Sequence, residues 1–244
     1  MGFSVLVTGA NRGIGLGLVR ELASRSDVTK VFAGVRNPVS FPSTNEAPNK
    51  EKIQVVQLEI SDQKSVDAAE HTVQQALGGS NGDGLDMLIN CAGIISGPSF
   101  TRVEECDPEE FIKTLNVNVV GTHRVTVAFL PLLRRGPTKK VVNISSTLGS
   151  ISELGRRYPT CHLIHYNSSK AALNSITRSY AIDFEDEGFI FFPICPGYVK
   201  TDMSPNGFLT VEESASNIAN LAMKATKKYN GVFYDSVTSK IINW

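Results

Sequence analysis

The chain has 244 residues, 41% of them hydrophobic and 20% charged, which is enough to bury a sizeable core in one large α/β domain. Its 24 basic side chains are balanced by 24 acidic ones, so neither a nucleic acid nor an acidic membrane surface is expected as a partner. Apolar runs stay well short of the roughly 20 residues that a membrane span needs, and a strand-like run already begins at Phe3, so no cleavable signal peptide is expected.

The four cysteines are scattered along the chain, without a Cys-x-x-Cys pair and without histidines at metal-ligand spacing. They are Cys91, Cys106, Cys161 and Cys195. In a chain of this length, that distribution predicts a reducing compartment, with neither a disulfide framework nor a structural metal site. A cytoplasmic location is therefore expected.

The predicted strands are short, nearly continuous apolar runs separated by longer segments of helical periodicity. They are Val5–Val7, Lys30–Val35, Ile53–Leu58, Met87–Asn90, Val141–Ile144, Phe189–Cys195 and a last one near Val232–Tyr234. This alternation is typical of a parallel sheet covered on both faces, which right-handed crossovers make doubly wound. We therefore predict an α/β fold in which residues 1–244 form a single Rossmann-type domain of about seven parallel strands with helices on both faces.

Three helices have recognisable ends. One begins at a glycine-rich turn near Arg12. A second covers Pro108 to Leu133, where apolar residues recur at helical spacing, and a third starts at about Tyr166 and stops at Gly188. The stretch Asn37–Lys52, with three prolines and few apolar residues, is predicted to be a loop.

The turn at residues 8–15 follows the first strand and opens the first helix. Gly9 can make the turn, Gly13 can admit a phosphate to the backbone, and Gly15 can let the helix pack close to the strand. The free N–H groups of a helix N-terminus favour an anion. The alternative is a glycine-rich loop without a ligand, but the position at the first strand–helix junction favours a nucleotide site.

Several motifs occur in an order that resembles the short-chain dehydrogenase/reductase family. They are Thr8-Gly9-x-x-x-Gly13-x-Gly15, Asn90-Cys91-Ala92-Gly93, Ser146, Tyr166-x-x-x-Lys170 and Pro196-Gly197-Tyr198-Val199-Lys200-Thr201. Together they cover nearly the whole chain, and its two ends resemble the sniffer-type carbonyl reductases. The resemblance implies transfer of a hydride from a nicotinamide to a carbonyl carbon of a small-molecule aldehyde, ketone or quinone.

Tyr166 and Lys170 are the candidate catalytic pair. On a helix, residues four apart share a face, so both side chains can point into one pocket. A tyrosine with a pKa near 10 is a poor acid or base at neutral pH, and a fixed ammonium beside it is expected to lower that pKa toward the working range. The alternative is a surface Tyr and Lys on a solvated helix. The resemblance makes Tyr166 the proton donor and gives Lys170 the ribose hydroxyls.

The resemblance implies two further catalytic residues. Ser146, with Ser145 as the fallback, supplies a hydroxyl that positions the substrate oxygen and stabilises its developing charge. Asn118, which could be confused with Asn116, matches the family's helix asparagine and is implied to belong to a proton relay to Lys170. An asparagine inside a helix is unfavourable, which suits a position that serves in hydrogen bonding.

The cofactor is predicted to be NADP(H). Arg12 lies in the glycine-rich turn and Arg36 follows the second strand, where an acidic residue would instead accept from a ribose 2′-hydroxyl and repel a 2′-phosphate. The resemblance implies that Thr201 contacts the carboxamide of the nicotinamide. The implied cofactor-binding residues are Gly9, Asn11, Arg12, Gly13, Ile14, Gly15, Arg36, Glu59, Ile60, Asn90, Ala92, Gly93, Tyr166, Lys170, Pro196, Gly197, Val199 and Thr201.

Three positions depart from the family pattern. Cys91 stands where a second asparagine is common, and the turn beneath the cofactor is expected to survive. Glu59, with Asp62 shortly after it, replaces the aspartate that usually meets adenine, which leaves that contact open. Pro193 removes a backbone donor within a predicted inner strand, where a bulge or an early strand end is expected.

The interval between Ser146 and Tyr166 is longer than is common in the family. The additional residues fall within Ile151–His165, which is expected to border the substrate entrance. His162 and His165 in this segment are predicted to be solvated loop histidines rather than acids.

Two other functions remain open on the same fold. An NAD-dependent alcohol or hydroxysteroid dehydrogenase would carry an acidic residue where this chain has Arg36. A non-catalytic nucleotide-sensing protein would be expected to have lost the tyrosine or the lysine, and this chain has both. A homodimer is expected, paired through the long helices at Pro108–Leu133 and Tyr166–Glu187.

Overall fold

The computed structural model describes residues 2–42, 49–97, 102–156 and 163–244. Seven parallel strands form one sheet in the order β3-β2-β1-β4-β5-β6-β7. They are β1 (Phe3–Thr8), β2 (Val28–Val35), β3 (Ile53–Gln57), β4 (Met87–Asn90), β5 (Lys140–Ile144), β6 (Ile190–Cys195) and β7 (Tyr234–Asp235). The predicted seven-stranded doubly wound fold is confirmed.

Six α-helices cover the two faces of the sheet. They are α1 (Gly13–Ser24), α2 (Gln63–Ala76), α3 (Pro108–Leu115), α4 (Thr122–Arg135), α5 (Ile164–Asp183) and α6 (Val211–Lys224). One apolar cluster joins the sheet to α1 and α6, and a second joins it to α2, α4 and α5. Strand β1 serves both, because Val5 and Val7 point into the first cluster and Leu6 into the second. Within the described ranges, no helix is long and apolar enough to cross a membrane.

The segment predicted as one helix from Pro108 to Leu133 is interrupted. Helix α3 begins as expected, with Asp107 capping the Glu109 amide and Pro108 in the first turn. A six-residue π-helical turn, Asn116–Gly121, then separates α3 from α4. At its end the backbone passes against Ile60, because a Cβ on Gly121 would lie 3.0 Å from that side chain. Single π-helical turns are frequent at functional sites, and this one contains Asn118.

The bulge or early strand end expected at Pro193 is wrong. Strand β6 continues in regular register through Pro193, which is paired with Asn143, to Cys195. Along β6, residues 190 and 194 hydrogen-bond toward β5, whereas Phe191 hydrogen-bonds to the segment that leads into β7 and Cys195 to Ser236, directly after β7. By this alternation Pro193 faces the last strand, where pairing begins only at Ile194. The missing donor therefore disrupts no strand pairing.

The loop predicted for Asn37–Lys52 contains two short 3₁₀ turns in its described part, Pro38–Ser40 and Lys50–Lys52. Helix α5 starts at Ile164, so Tyr166 lies in its first turn. It ends at Asp183, and the chain leaves it through a turn that closes at Gly188, which has a φ of +78°. A left-handed conformation of this kind favours glycine and makes Gly188 the expected stop.

Candidate active site

A cleft of about 840 Å³ opens at the carboxyl ends of the strands. The strand order reverses there, because β1 pairs with β2 on one side and with β4 on the other. Ligands of open parallel sheets bind at such a reversal. The predicted site residues that line this cleft are Gly9, Asn11, Arg12, Gly13, Ile14, Gly15, Arg36, Glu59, Ile60, Ala92, Gly93, Tyr166, Lys170, Pro196 and Thr201.

The glycine-rich turn has the shape that a pyrophosphate requires. Gly9 has a φ of +68°, and a Cβ there would lie 2.7 Å from the Cα of Ala92. Gly13 has a φ of +52° at the start of α1, and a Cβ on Gly15 would lie 2.3 Å from the Gly9 carbonyl oxygen. Arg12, the N-cap residue of α1, makes no side-chain capping bond among the described residues. The first N–H groups of α1 are thus available to an anion, and the turn fits a dinucleotide.

The side chain of Thr8, at the end of β1, links the glycine-rich turn to the turn that follows β4. Its buried hydroxyl oxygen accepts hydrogen bonds from the amides of Cys91 and Ala92, both at 3.0 Å. Cys91 lines the cleft, and burial raises the pKa of its thiol to about 12. The turn after β4 is therefore held by Thr8, with Cys91 in place of the more common asparagine.

Tyr166 and Lys170 lie on the same face of α5, as predicted, and both line the cleft. The Lys170 ammonium is 5.5 Å from the centre of the Tyr166 ring. It also donates a hydrogen bond of 2.8 Å to the carbonyl oxygen of Ile144, at the end of β5. That bond fixes the ammonium of a buried lysine beside the phenol.

The direction predicted for the pKa of Tyr166 is wrong. Burial raises the pKa of the phenol above its ordinary value of 10, and the hydrogen bond with Ser146 offsets this only in part. Burial likewise lowers the pKa of Lys170 from 10.5 to about 8. Both shifts have the same physical cause, because desolvation favours the uncharged form of each group. At neutral pH, Tyr166 is a neutral phenol and can act as a proton donor.

The structure distinguishes the two candidate serines. The Ser146 hydroxyl is close enough to the Tyr166 phenol to lower its pKa. Ser145 also borders the cleft, but its hydroxyl is buried and donates to Oδ1 of Asn174 at 2.6 Å. Ser146 is thus the serine whose hydroxyl acts on the phenol, and it is half-buried beside Ser145 of the cleft wall.

Asn118 is buried in the π-helical turn, whereas its neighbour Asn116 is exposed. Its amide forms a two-way pair with the backbone of Ile94, at 2.8 and 2.9 Å, and donates to the Ser169 hydroxyl at 3.0 Å. A Cβ on Gly93 would lie 3.2 Å from Oδ1 of Asn118 and 3.6 Å from the Lys170 ammonium. Asn118 thus lies behind the cleft wall, next to Lys170.

Three predicted cofactor residues lie behind the wall of the cleft. Asn90 is buried under the sheet edge, where its amide donates to Asn143 at 2.8 Å and to Thr126 at 3.2 Å. Gly197 has a φ of +84° and approaches the Leu209 side chain closely, and Val199 pairs with Leu209. These residues shape the backbone around the cleft. Thr201 reaches the cleft itself, and a Cβ on Gly13 would lie 3.4 Å from its methyl group.

Both arginines line the cleft. Arg12 forms an ion pair with Asp202 at 2.7 Å. Arg36, largely exposed, is 3.8 Å from Glu59, which also accepts from the hydroxyl and amide of Ser61. Two guanidinium groups therefore border the place where the adenosine ribose is expected.

Asp62, the other acidic residue considered for the adenine contact, caps helix α2 by accepting from the Lys64 amide. Of the two acidic residues considered for adenine, Glu59 is therefore the one that lines the cleft.

His165 is not solvated as predicted. It is buried in the first turn of α5, 2% exposed, with Nδ1 at 3.9 Å from the Cys106 thiol. Desolvation lowers its pKa, which keeps the imidazole neutral at pH 7. His162 lies outside the described residues.

Part of the cleft wall lies outside the predicted set: Asn37, Leu58, Cys91, Ile94, Val117, Ile144, Ser145, Lys200, Asp202, Met203 and Val211. Leu58 and Ile144 end predicted strands, so the rule that sites lie at carboxyl strand ends could have indicated them. Asp202 and its ion pair with Arg12, 190 residues away, could not be inferred from local pattern.

A family model described as short chain dehydrogenase matches residues 4–211. An uncharacterized oxidoreductase of Schizosaccharomyces pombe is 33% identical over 221 residues, which cover 90% of this chain and 83% of that protein. The short-chain dehydrogenase/reductase AacuF of Aspergillus aculeatus is 35% identical over 210 residues, covering 83% of this chain and 77% of its own length.

Solved structures resemble the fold over its full length. An NADPH-bound carbonyl reductase from chicken fatty liver superposes with a TM-score of 0.88 at 32% identity, and the match covers 100% of both chains. The carbonyl reductase Sniffer of D. melanogaster gives a TM-score of 0.88 at 28% identity, again over 100% of both chains. The chain belongs to the short-chain dehydrogenase/reductase family of oxidoreductases.

Proposed function

We propose that this protein is an NADPH-dependent carbonyl reductase that acts on a small aldehyde, ketone or quinone. The observation that carries the proposal is the arrangement at one end of the cleft. There the Ser146 hydroxyl lies close enough to the Tyr166 phenol to lower its pKa, and the Lys170 ammonium lies 5.5 Å from the ring centre. Arg12 and Arg36 line the same cleft.

Tyr166 is the proton donor in this proposal. Reduction of a carbonyl leaves negative charge on the oxygen, which must be met by a proton from a nearby group. The raised pKa keeps the phenol protonated at neutral pH and so favours the reducing direction over alcohol oxidation, which begins with a phenolate. The Ser146 hydroxyl is placed to donate a hydrogen bond to the same substrate oxygen.

Lys170 and Asn118 are assigned roles that support proton donation by Tyr166. With a pKa of about 8, Lys170 is mostly charged at neutral pH, and its ammonium favours the phenolate that proton transfer leaves. The same ammonium is assigned to the ribose hydroxyls of the cofactor. Asn118, close to Lys170 behind Gly93, is assigned to the relay that returns a proton to the site.

The cofactor assignment is NADP(H), which supplies the hydride when it is bound. The residues that would hold it are the glycine-rich turn and the N-terminus of α1 for the pyrophosphate, Arg12 and Arg36 for the 2′-phosphate, and Thr201 for the carboxamide. The carbonyl reductase from chicken fatty liver, similar over its whole length, binds NADPH.

The test is NADPH oxidation by the purified protein against a panel of aldehydes, ketones and quinones, with NADH in parallel. We expect turnover with NADPH and at least one carbonyl class, and slower turnover with NADH. Turnover of alcohols with NAD⁺ but not of carbonyls with NADPH would favour the dehydrogenase alternative. Binding of NADPH without turnover of any carbonyl or alcohol would favour a nucleotide-sensing protein.

A further inference from the structure

Asn174 is a polar residue of helix α5 that the site residues above do not include. It follows Lys170 by four positions and Tyr166 by eight, so the three side chains share one face of the helix. Asn174 is 3% exposed, and it points at the segment that follows β5 rather than into the cleft. A buried amide needs hydrogen-bond partners, and the partners of Asn174 indicate its structural role.

The hydrogen bonds of Asn174 bracket Ser146. Its Oδ1 accepts from the Ser145 hydroxyl at 2.6 Å, and its Nδ2 donates to the carbonyl oxygen of Gly149 at 3.2 Å. Between these anchors, Ser146 is held by the Leu148 amide, which donates to its Oγ at 3.1 Å, and by the Gly149 amide, which donates to its carbonyl at 2.8 Å.

The bracketed segment also lies directly on the helix. A Cβ on Gly149 would be 2.6 Å from the backbone carbonyl carbon of Lys170, so only glycine permits this approach. Residues 145–149 are thus fastened at both ends to the helix that carries Tyr166. Because Ser146 lies on one of these elements and Tyr166 on the other, the position of the Ser146 hydroxyl relative to the phenol depends on how the two elements are held together.

We propose that Asn174 is a positioning residue that holds the Ser146 hydroxyl in register with the Tyr166 phenol. The inference rests on the proposed function, because it assigns Ser146 and Tyr166 to one substrate oxygen. A displacement of about 1 Å at a reacting group can cost roughly a hundredfold in rate. One residue two helical turns from Tyr166 can therefore control catalysis without touching the substrate or the cofactor.

The test compares Asn174→Ala with a matched control, Asn230→Ala. Asn230 also clamps two backbone segments, since it accepts from the Phe191 amide and donates to the Ala181 carbonyl, but it lies away from the cleft. We expect Asn174→Ala to lower kcat by about ten- to a hundredfold while the Kd for NADPH changes by less than about threefold. We expect Asn230→Ala to keep kcat within about twofold of the wild type.

A double-mutant cycle with Ser146→Ala separates positioning from general damage. If Asn174 acts through Ser146, Asn174→Ala should change kcat by less than about twofold once Ser146→Ala is present. An equal loss of kcat in both backgrounds, or an Asn174→Ala variant within twofold of the wild type, would overturn the proposal.

Hydrogen exchange supplies a readout that does not need activity. In Asn174→Ala we expect faster exchange of the Leu148 and Gly149 amides, and in Asn230→Ala no change there. A wild type that reduces no carbonyl would refute the proposed function while this measurement still tests the clamp. Unchanged exchange at Leu148 and Gly149 would overturn the clamp itself.

Discussion

At the scale of single residues, the proton on Tyr166 is subject to two opposing effects. Burial disfavours the phenolate, whereas the hydrogen bond with Ser146 and the nearby Lys170 ammonium favour it once the proton has left. In the proposed reaction, the phenol holds its proton at rest and releases it when a stronger base, the reduced carbonyl oxygen, forms beside it. That sequence is what a general acid requires.

Replacing Tyr166 by phenylalanine removes one oxygen and keeps the ring. We expect kcat to fall by about 10²–10⁴-fold, the range for a lost general acid, with the Kd for NADPH within a few-fold of the wild type. Steady-state kinetics and fluorescence titration with NADPH measure the two quantities. More than about a tenth of wild-type activity on a good carbonyl substrate would refute the assignment.

The pKa of Lys170 predicts a pH dependence of activity. Because burial lowers that pKa from 10.5 to about 8, the ammonium is lost as pH rises through about 8, and kcat/KM for NADPH should fall there. Stability should move in the opposite direction. Between pH 8 and 10.5 the unfolded state binds more protons at Lys170, so its contribution to the free energy of unfolding rises with pH.

Because activity should fall while the free energy of unfolding rises, the two pH profiles together distinguish titration of Lys170 from alkaline unfolding. The first measurement is a kcat/KM profile from about pH 6 to about pH 10. The second is urea unfolding of the wild type and of Lys170→Met at about pH 7 and about pH 10, on either side of the Lys170 pKa of about 8. A profile that stays flat through this range would contradict the prediction. So would a wild-type stability that falls relative to Lys170→Met as pH rises.

Arg36 is expected to select NADPH over NADH. Its guanidinium lies at the adenosine end of the cleft, 3.8 Å from Glu59, and can exchange that partner for a 2′-phosphate. One charge-assisted bond contributes about ten- to a hundredfold in affinity, so Arg36→Ala should weaken NADPH binding by that factor and leave NADH binding nearly unchanged. Arg20→Ala, at an exposed position of α1, is the control. Equal weakening of both cofactors in Arg36→Ala would show that the assignment is wrong.

The sequence could identify Tyr166, Lys170 and the glycine-rich turn because their chemistry depends on short spacings within one element. It could not give the direction of the pKa shift of Tyr166, since that depends on the burial produced by the whole fold. The family pattern pointed to Ser146 with Ser145 as the fallback. The sequence could not show that the Ser145 hydroxyl is engaged by Asn174, which lies 29 residues away and meets it only in the folded protein.

At the scale of elements, the strands followed from apolar runs, because a parallel sheet buried on both faces needs apolar side chains at nearly every position. The π-helical turn at Asn116–Gly121 was missed because its apolar spacing resembles that of an α-helix, and its close approach to Ile60 involves a residue distant in the sequence. The expectation at Pro193 failed because local pattern does not tell which neighbouring strand a residue faces.

The junction between β1 and β4 depends on Thr8, which the predicted site residues did not include. Thr8→Val keeps the shape but removes the acceptor of the Cys91 and Ala92 amides. Two buried donors lose their partner, so the free energy of unfolding should fall by about 1–3 kcal/mol, and NADPH binding should weaken. Urea unfolding measures the first effect. Thr8→Ser, which keeps the oxygen, should stay close to the wild type.

The exposed Thr29 offers a control for that prediction. Its hydroxyl donates to the Phe3 carbonyl at 3.3 Å near the opposite end of β1. Because water can replace this bond, Thr29→Val should change the free energy of unfolding by less than about 0.5 kcal/mol. If Thr8→Val and Thr29→Val lose the same stability, Thr8 has no special role at the junction.

At the scale of the whole molecule, helix α4 with the π-helical turn before it, and helix α5, leave apolar side chains on the surface. Val120 and Val127 are 44% and 47% exposed, and Ile182 on α5 is 58% exposed. Val120 and Val127 are seven positions apart and share a helix face, and the Tyr180 hydroxyl of α5 is 2.7 Å from His123 between them. The two helices therefore form one continuous surface with an apolar part.

We predict that this surface pairs with its copy in a homodimer. A two-fold contact places the same patch of both subunits together, so a single interface covers the apolar residues of α4 and α5 in both subunits. Light scattering should give twice the 26.5 kDa of one chain at micromolar concentration. Val127→Glu buries a charge at the expected contact and should yield monomers, whereas Val39→Glu, at a position 92% exposed on the loop after β2, should remain dimeric. A wild-type mass near 26.5 kDa, or a Val127→Glu variant that remains dimeric, would show that α4 and α5 do not form the interface.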